Sequence, residues 1–214
     1  MVVGPSEITS SARPVDRGVA RRQAFLEAAR EVFLEQGYEA ASVNDVVRLA
    51  GGSLATLYSQ FGNKEGLFLA VVQDQHDRVL ASMAPSNVDD LSLEDGLHQI
   101  GKQFVHVLLA KDSLSFFRIT VGEGRKFPEL VQRYISVGAD RVREVVANHL
   151  RKGAPEFKGD HDIVASYFLE LLRGRHHYRA LSDPAYQLTD AQISEHVASA
   201  TKFFICGMCL KRQA

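Results

Sequence analysis

Apolar positions recur at helical spacing along most of this chain, and the first stretch is the clearest. Across residues 17–36, Phe25, Ala28, Ala29, Val32 and Phe33 fall at i, i+3, i+4, i+7 and i+8, which lines one face of an amphipathic helix. Gly37 follows in the position that usually ends such a helix. Ser42-Val-Asn-Asp45 reads as a capping box, with Asp in place of the stronger Glu. It opens a short helix that uses Val43, Val46, Val47 and Leu49 and stops at Gly51-Gly52. Ser53 is a second N-cap, so a third helix begins at Leu54 with its free N–H groups forming an anion site. Leu57 and Phe61 face a core, leaving Ala55, Thr56, Tyr58, Ser59 and Gln60 mostly outside. Gly62-Asn63 ends this helix, and Asn63 caps the next, with Glu65 in its first turn.

The helical period continues beyond that point. The helix opened by Asn63 runs through Val71, Val72 and Val79 to about Met83, where Pro85-Ser-Asn closes it. Residues 94–110 carry Leu97, Ile100, Gly101, Phe104 and Leu108, and a shorter helix spans Leu114 to Val121. Pro128 suits the first turn of another, which continues through Leu130, Tyr134, Val142, Val145, Val146 and Leu150 until Gly153-Ala-Pro155 breaks it. Val164, Tyr167, Phe168, Leu171 and Leu172 form one stripe on the next helix, which Asp183-Pro184 ends. Ile193, Val197, Ala200 and Phe204 follow a heptad-like spacing near the C-terminus. No segment alternates Val, Ile and Thr between hairpin turns, and no internal repeat is visible. The expected fold class is all-α.

Composition narrows the function without naming it. A chain of 214 residues, 45% hydrophobic and 24% charged, is an ordinary soluble globular protein of one domain or two small ones. No apolar run approaches the roughly 18 residues that span a bilayer. Val2-Val3 is followed at once by Gly-Pro-Ser-Glu, which lacks the apolar core of a signal peptide, so a cytoplasmic location is expected. The net charge of -1 argues against nucleic-acid binding, but its distribution matters more. Arg13, Arg17, Arg21 and Arg22 cluster near the start, opposed locally only by Asp16. The segment before them is rich in Ser, Pro and Gly. Such an arm can reach a phosphate or a minor groove, or simply be a solvated tail. With so few cations per chain, useful affinity for DNA calls for two copies acting together.

Helix, glycine turn and helix make up a helix-turn-helix, although plain bundles share that spacing. From about Arg21 to Leu69, however, the chain resembles the TetR-type transcriptional regulators. The matched positions are Ala28-Ala29, Phe33, Gly37-Tyr38, Ser42-Val43, Asp45-Val46, Ala50-Gly51, Ser53, Thr56-Leu57-Tyr58, Phe61, Asn63-Lys64-Glu65 and Leu67. Composition marks a flexible basic arm (1–16), and the resemblance implies an N-terminal three-helix helix-turn-helix domain (17–66) after it. A larger helical domain for effector binding and dimerisation (67–214) follows. It implies that Ser42, Thr56, Tyr58 and Lys64 hold phosphates. Ser53 caps the reading helix, and Leu54, Ala55, Ser59 and Gln60 approach base edges. The sequence departs from the family at Gly52, usually Val, at Ala55, usually Gly, and at Leu54, where Lys, Arg or Pro is commoner. Those departures bear on base specificity rather than on docking.

The C-terminal half carries a second resemblance. Residues 113–130 are similar to the C-terminal domains of the AefR-like subgroup, most specifically at Arg125-Lys-Phe-Pro-Glu-Leu130. In the TetR family the last two helices pair with their copies, which implies a homodimer through Val164–Leu172 and Ile193–Leu210. An internal core stripe explains the same periodicity. The middle helices are then expected to enclose a pocket for a hydrophobic or amphipathic effector, with His98, Phe104, Phe116, Phe117, Ile119 and Phe168 as candidate liners. Arg118 and Glu123 read as structural charges. Cys206-Gly-Met-Cys209 has the spacing of a redox pair or half a zinc site. It lacks a second such pair and a βαβ context, so buried small residues in a packed helix explain it more simply. No cofactor or metal is expected. An enzyme is the rival class, but Gly-x-Ser-x-Gly, HExxH and a Gly-rich phosphate loop are all missing. The expectation is a dimeric repressor that binds a double-stranded DNA operator and answers to a small effector. The alternative is a helical adaptor, or a small-molecule-binding protein without operator-specific DNA binding.

Overall fold

Short side chains at the helix starts set much of the architecture. The computed structural model describes residues 14–83 and 91–209, which form nine α-helices and no strand. In order these are α1 (Pro14–Ala40), α2 (Val43–Ala50), α3 (Leu54–Phe61), α4 (Lys64–Met83) and α5 (Leu93–Leu108), followed by α6 (Lys111–Glu123), α7 (Pro128–Gly153), α8 (His161–Ser182) and α9 (Asp190–Cys209). The N-terminal arm through Arg13, the Pro85-Ser-Asn stop, Leu210 and the side chain of Cys209 lie outside the described residues.

Caps explain most of the boundaries. Ser42, Ser53 and Ser92 each accept a backbone N–H from the helix they open, and Asp160 Oδ1 accepts those of Asp162 and Ile163 at 2.8 and 3.2 Å. Asn63 Oδ1 accepts Gly66 N at 2.7 Å, and Pro128 occupies the first turn of α7. Gly37 (φ 76°, ψ 179°) breaks the helical backbone of α1, so Tyr38 to Ala40 leave the axis of the preceding helix.

The expected Asp183 stop closes α8, but a break inside that helix was not foreseen. Gly174 adopts φ 40°, ψ -150°. Leu172 O, just before the break, accepts a hydrogen bond from His196 Nε2 of α9 at 2.8 Å. A side chain from the neighbouring helix thus serves a carbonyl beside the kink.

Two cores result. The first joins α1–α4 around Phe25, Phe33, Leu57, Leu67 and Phe68, and it also takes in Phe116 of α6 and Leu130 of α7. The second joins α5, α7, α8 and α9 around Leu97, Ile100, Leu150, Phe168, Leu172 and Val197. The first core therefore extends past residue 66, and α4, α6 and α7 anchor the head to the body.

Candidate nucleic-acid interface

The α2–α3 unit is held from below by aromatic packing and at its turn by backbone shape. Val46, Leu57 and Phe61 are buried, and Phe61 meets Phe25 edge-on with ring centroids 6.3 Å apart. Gly51 (φ 66°) and Gly52 (φ 135°) make the turn, and a Cβ on Gly52 would stand 3.0 Å from the Phe25 ring. The departure from Val at this position thus has a steric reason in this chain. Arg21 Nη1 donates to Gly51 O at 2.5 Å, closing the end of α2, and Arg22 lies 4.5 Å over the Phe61 ring. The basic cluster read as part of a loose arm is therefore partly structural: Arg17, Arg21 and Arg22 lie on α1.

The capping box at Ser42 is half made. Ser42 Oγ accepts Asn44 N at 3.2 Å, but Asp45 does not reach back. Its carboxylate accepts from Arg48 at 3.0 Å and Gln36 at 3.4 Å, which hold its pKa below the ordinary value. At Ser53 the expected cap is complete. Its Oγ accepts Thr56 N at 3.1 Å and lies 2.9 Å from Thr56 Oγ1.

Leu54, Ala55, Thr56, Tyr58 and Ser59 are exposed on α3, a face of methyls, hydroxyls and one phenol with no carboxylate. Gln60 departs from the expected pattern: it is half-buried, and its Oε1 is buried with no protein hydrogen-bond partner. Lys64, at the start of α4, donates to Glu39 O at 2.8 Å and lies 5.1 Å from the Tyr38 ring centroid. Burial lowers its pKa against the pull of the Glu123 and Glu39 carboxylates. Lys64 thus ties the end of α1 to α4.

Contacts between head and body converge on the same segment. Glu39 N donates to Glu123 Oε1 at 3.1 Å, the Glu39 carboxylate pairs with Lys126, and Tyr38 packs edge-on against Phe127 and Phe68. Arg30 pairs with Asp112, and Arg133 with Glu65 at 3.0 Å. Glu123 is a structural charge, as expected. So is Arg118, whose Nε and Nη2 donate to Leu181 O and Ala180 O at 3.1 and 2.8 Å. Sequence reasoning did not find the Glu39–Glu123 contact, because nothing local signals a pair 84 positions apart.

The six expected effector liners do not come together. Phe116 and Ile119 belong to the first core, with Phe116 5.8 Å from Phe68. Phe168 is buried in the second core against Phe204, and Phe104 packs on that core's edge. Phe117 meets the His177 ring at 4.9 Å, and His98 Nε2 lies 3.3 Å from Ser194 O. None of the six lines either of two open spaces. One is a cavity of about 360 Å³ among α5, α6, the end of α8 and the loop before α9. The other is an apolar groove of about 640 Å³ along α8 and α9. Cys206 is exposed rather than buried, which corrects the packed-helix expectation for that thiol. Among the described residues no cluster could hold a metal ion, and no helix is long and apolar enough to cross a membrane.

Comparison with known proteins points one way. Residues 25–71 match the bacterial regulatory proteins of the tetR family, and residues 95–207 match the AefR-like transcriptional repressor C-terminal domain. The HTH-type transcriptional repressor ComR of Escherichia coli is 37% identical over 93 residues, 43% of this chain and 44% of that protein. The HTH-type transcriptional activator FasR of Mycolicibacterium smegmatis is 40% identical over 63 residues, 29% of each chain. The match spans less than half the length of these curated relatives. A regulator of this kind from Mesorhizobium loti shares the fold with a TM-score of 0.77 at 22% identity, covering 89% of this chain and 98% of that one. The flavonoid-responsive regulator FrrA superposes with a TM-score of 0.70 at 25% identity, covering 87% and 96%.

Proposed function

The chain belongs to the TetR family of bacterial regulatory proteins, and from that premise we propose a dimeric transcriptional repressor released from a palindromic operator by a small effector. The observation that carries the reading is the exposed face of α3. It is free of carboxylates, capped by Ser53 and seated on a rigid aromatic core. Ser42, Thr56, Tyr58 and Lys64 contact phosphates, which set register, and Ser53 caps the reading helix. Leu54, Ala55 and Ser59 face base edges in the major groove, where Gln60, its Oε1 buried, offers only its amide nitrogen.

Dimerisation through α8 and α9 is supported by the apolar groove between them and by Tyr167 and Phe203, exposed to 62% and 70% on the single chain. Two heads so joined bind together when their reading helices lie about 34–36 Å apart or a multiple of it. The response of a related regulator to flavonoids supports an apolar or amphipathic effector. By binding the body, the effector alters head spacing through α4 and the α6–α7 corner, provided it prefers one of the two states.

The test is a salt-series titration of the full chain against the intergenic DNA beside its own gene, with a scrambled duplex as control. Tight binding to the native duplex alone supports the reading. Equal, weak binding to that duplex and to every other promoter duplex from the same genome refutes it.

A further inference from the structure

The cavity between α5, α6, the end of α8 and the loop before α9 has a volume of about 360 Å³ and walls of two kinds. That volume lies in the range of small-molecule sites. Leu114, Leu188 and Ile193 give it an apolar floor, while His106, Lys111 and Arg118 bring three basic side chains to its wall. No carboxylate lines it. Asp190, whose Oδ1 lies 3.8 Å from His106 Nε2, stands outside the lining and is 90% exposed. Arg118 is fixed in place by the Ala180 and Leu181 carbonyls, which hold its Nε and Nη2 and leave Nη1 for a ligand. At the start of α6, Ala110 supplies no side-chain cap to the first-turn N–H groups, and the one carboxylate of that turn, Asp112, is paired with Arg30.

We propose that this cavity is the effector site and that it takes an amphipathic monoanion, a carboxylate carried on a compact apolar body. The inference rests on the reading of the chain as a ligand-responsive regulator. A carboxylate entering here meets Lys111 and Arg118 with no carboxylate in the lining, and it competes with exposed Asp190 for His106 alone. A neutral molecule of the same shape gains only the apolar floor. The site also has a physical route to the head, because α6 carries both. Lys111, Leu114 and Arg118 line the cavity near its start, Asp112 pairs with Arg30 of α1, and Glu123 at its far end accepts Glu39 N.

The experiment is calorimetric titration of the purified full-length protein with octanoate and 2-naphthoate, against octanamide as the neutral control. Two variants accompany it: Lys111→Glu reverses an exposed charge, and Ser115→Phe fills the cavity, while Arg118 is left intact because it closes α8. A carboxylate should bind the wild type at least about tenfold more tightly than octanamide, and lose about tenfold or more in Lys111→Glu. Ser115→Phe should abolish binding of both. The proposal is overturned if neither carboxylate binds, if the amide binds as well, or if both variants bind like wild type. Operator titration on the same samples separates the two failures. Intact operator binding without carboxylate binding sinks only the site, whereas no operator binding by the wild type sinks the regulator reading itself.

Discussion

Acidification should destabilise this fold through His177, by an amount that the structure sets. The ring is 2% exposed, packs edge-on against Phe117 at 4.9 Å and has the guanidiniums of Arg173 and Arg118 nearby. Burial, then those two charges, pushes its pKa from 6.5 down to about 4. As pH falls through 6.5 the unfolded chain takes up a proton that the native state refuses until about pH 4. The stabilisation is therefore complete above pH 6.5 and is lost progressively between 6.5 and 4. Between pH 7.5 and 5 the linkage amounts to about 2 kcal/mol, or a fall in Tm of roughly 4–8 °C for a chain of this size. His176 is shifted the same way, by burial and then by His196, Arg175 and Arg179, so the wild-type slope contains both rings. Replacing His177 by Leu isolates its share. Thermal unfolding of wild type and His177→Leu at one protein concentration, in steps from pH 7.5 to 5, should give a shallower curve for the variant. Parallel curves would refute the argument.

Further outcomes follow from the interface and the body. Tyr58→Ala should weaken operator binding by about tenfold with an unchanged Tm, because the ring is 46% exposed. Lys64→Ala should lower both affinity and stability, the latter by about 1–2 kcal/mol, because its ammonium also holds Glu39 O; anisotropy titration and thermal unfolding on the same variants tell these apart. The double change Tyr167→Glu and Phe203→Glu should convert a dimer to a folded monomer by light scattering, and a persisting dimer would place the interface elsewhere. Glu123→Ala should speed hydrogen exchange at the Glu39 amide several-fold, because its acceptor is removed, and an unchanged rate would deny that contact in solution.

How legible the chain is depends on how far apart the interacting atoms lie in sequence. Ser53 with Thr56 and Asn63 with Gly66 are each three positions apart, so caps, helix starts and the buried pair Leu57 and Phe61 could be read directly. Asp45 kept its place in the pattern but lost its expected partner, because Arg48 one turn on and Gln36 on α1 compete for the same carboxylate. The break at Gly174 was invisible for a related reason: an isolated glycine is tolerated in a helix, and the His196 that serves Leu172 O lies 24 positions away. The expected effector liners are dispersed because periodicity marks which residues are buried, not which core buries them. Phe116 and Phe168 obey the same helical pattern yet belong to different cores. The basic cavity draws on α5, α6, α8, the loop after α8 and α9, so no single stretch of sequence announces it.

The same structure bears on a puzzle of charge, since the proposed function asks a protein of net charge -1 to hold a polyanion. Arg21 is engaged by Gly51 O, Arg22 by the Phe61 ring, Arg48 by Asp45 and Lys64 by Glu39 O; of these, Arg48 and Lys64 flank α3 most directly and have further N–H donors for phosphate. Most remaining donors there are neutral hydroxyls and backbone N–H groups, which bind phosphate without displacing condensed counterions as a cation does. If each head of a dimer sets those two cations against phosphates, log K against log salt should fall with a slope of about -4 for the dimer. A basic arm that also engaged the DNA would add to this. Truncating residues 1–13 and repeating the salt series measures that addition. A full-chain slope near -4 that survives truncation means that α3 and its flanks carry the contact. The truncated segment carries one cationic side chain per chain, Arg13, so a slope of about -6 that falls to about -4 on truncation would refute this account by giving the arm a share of the phosphate contact.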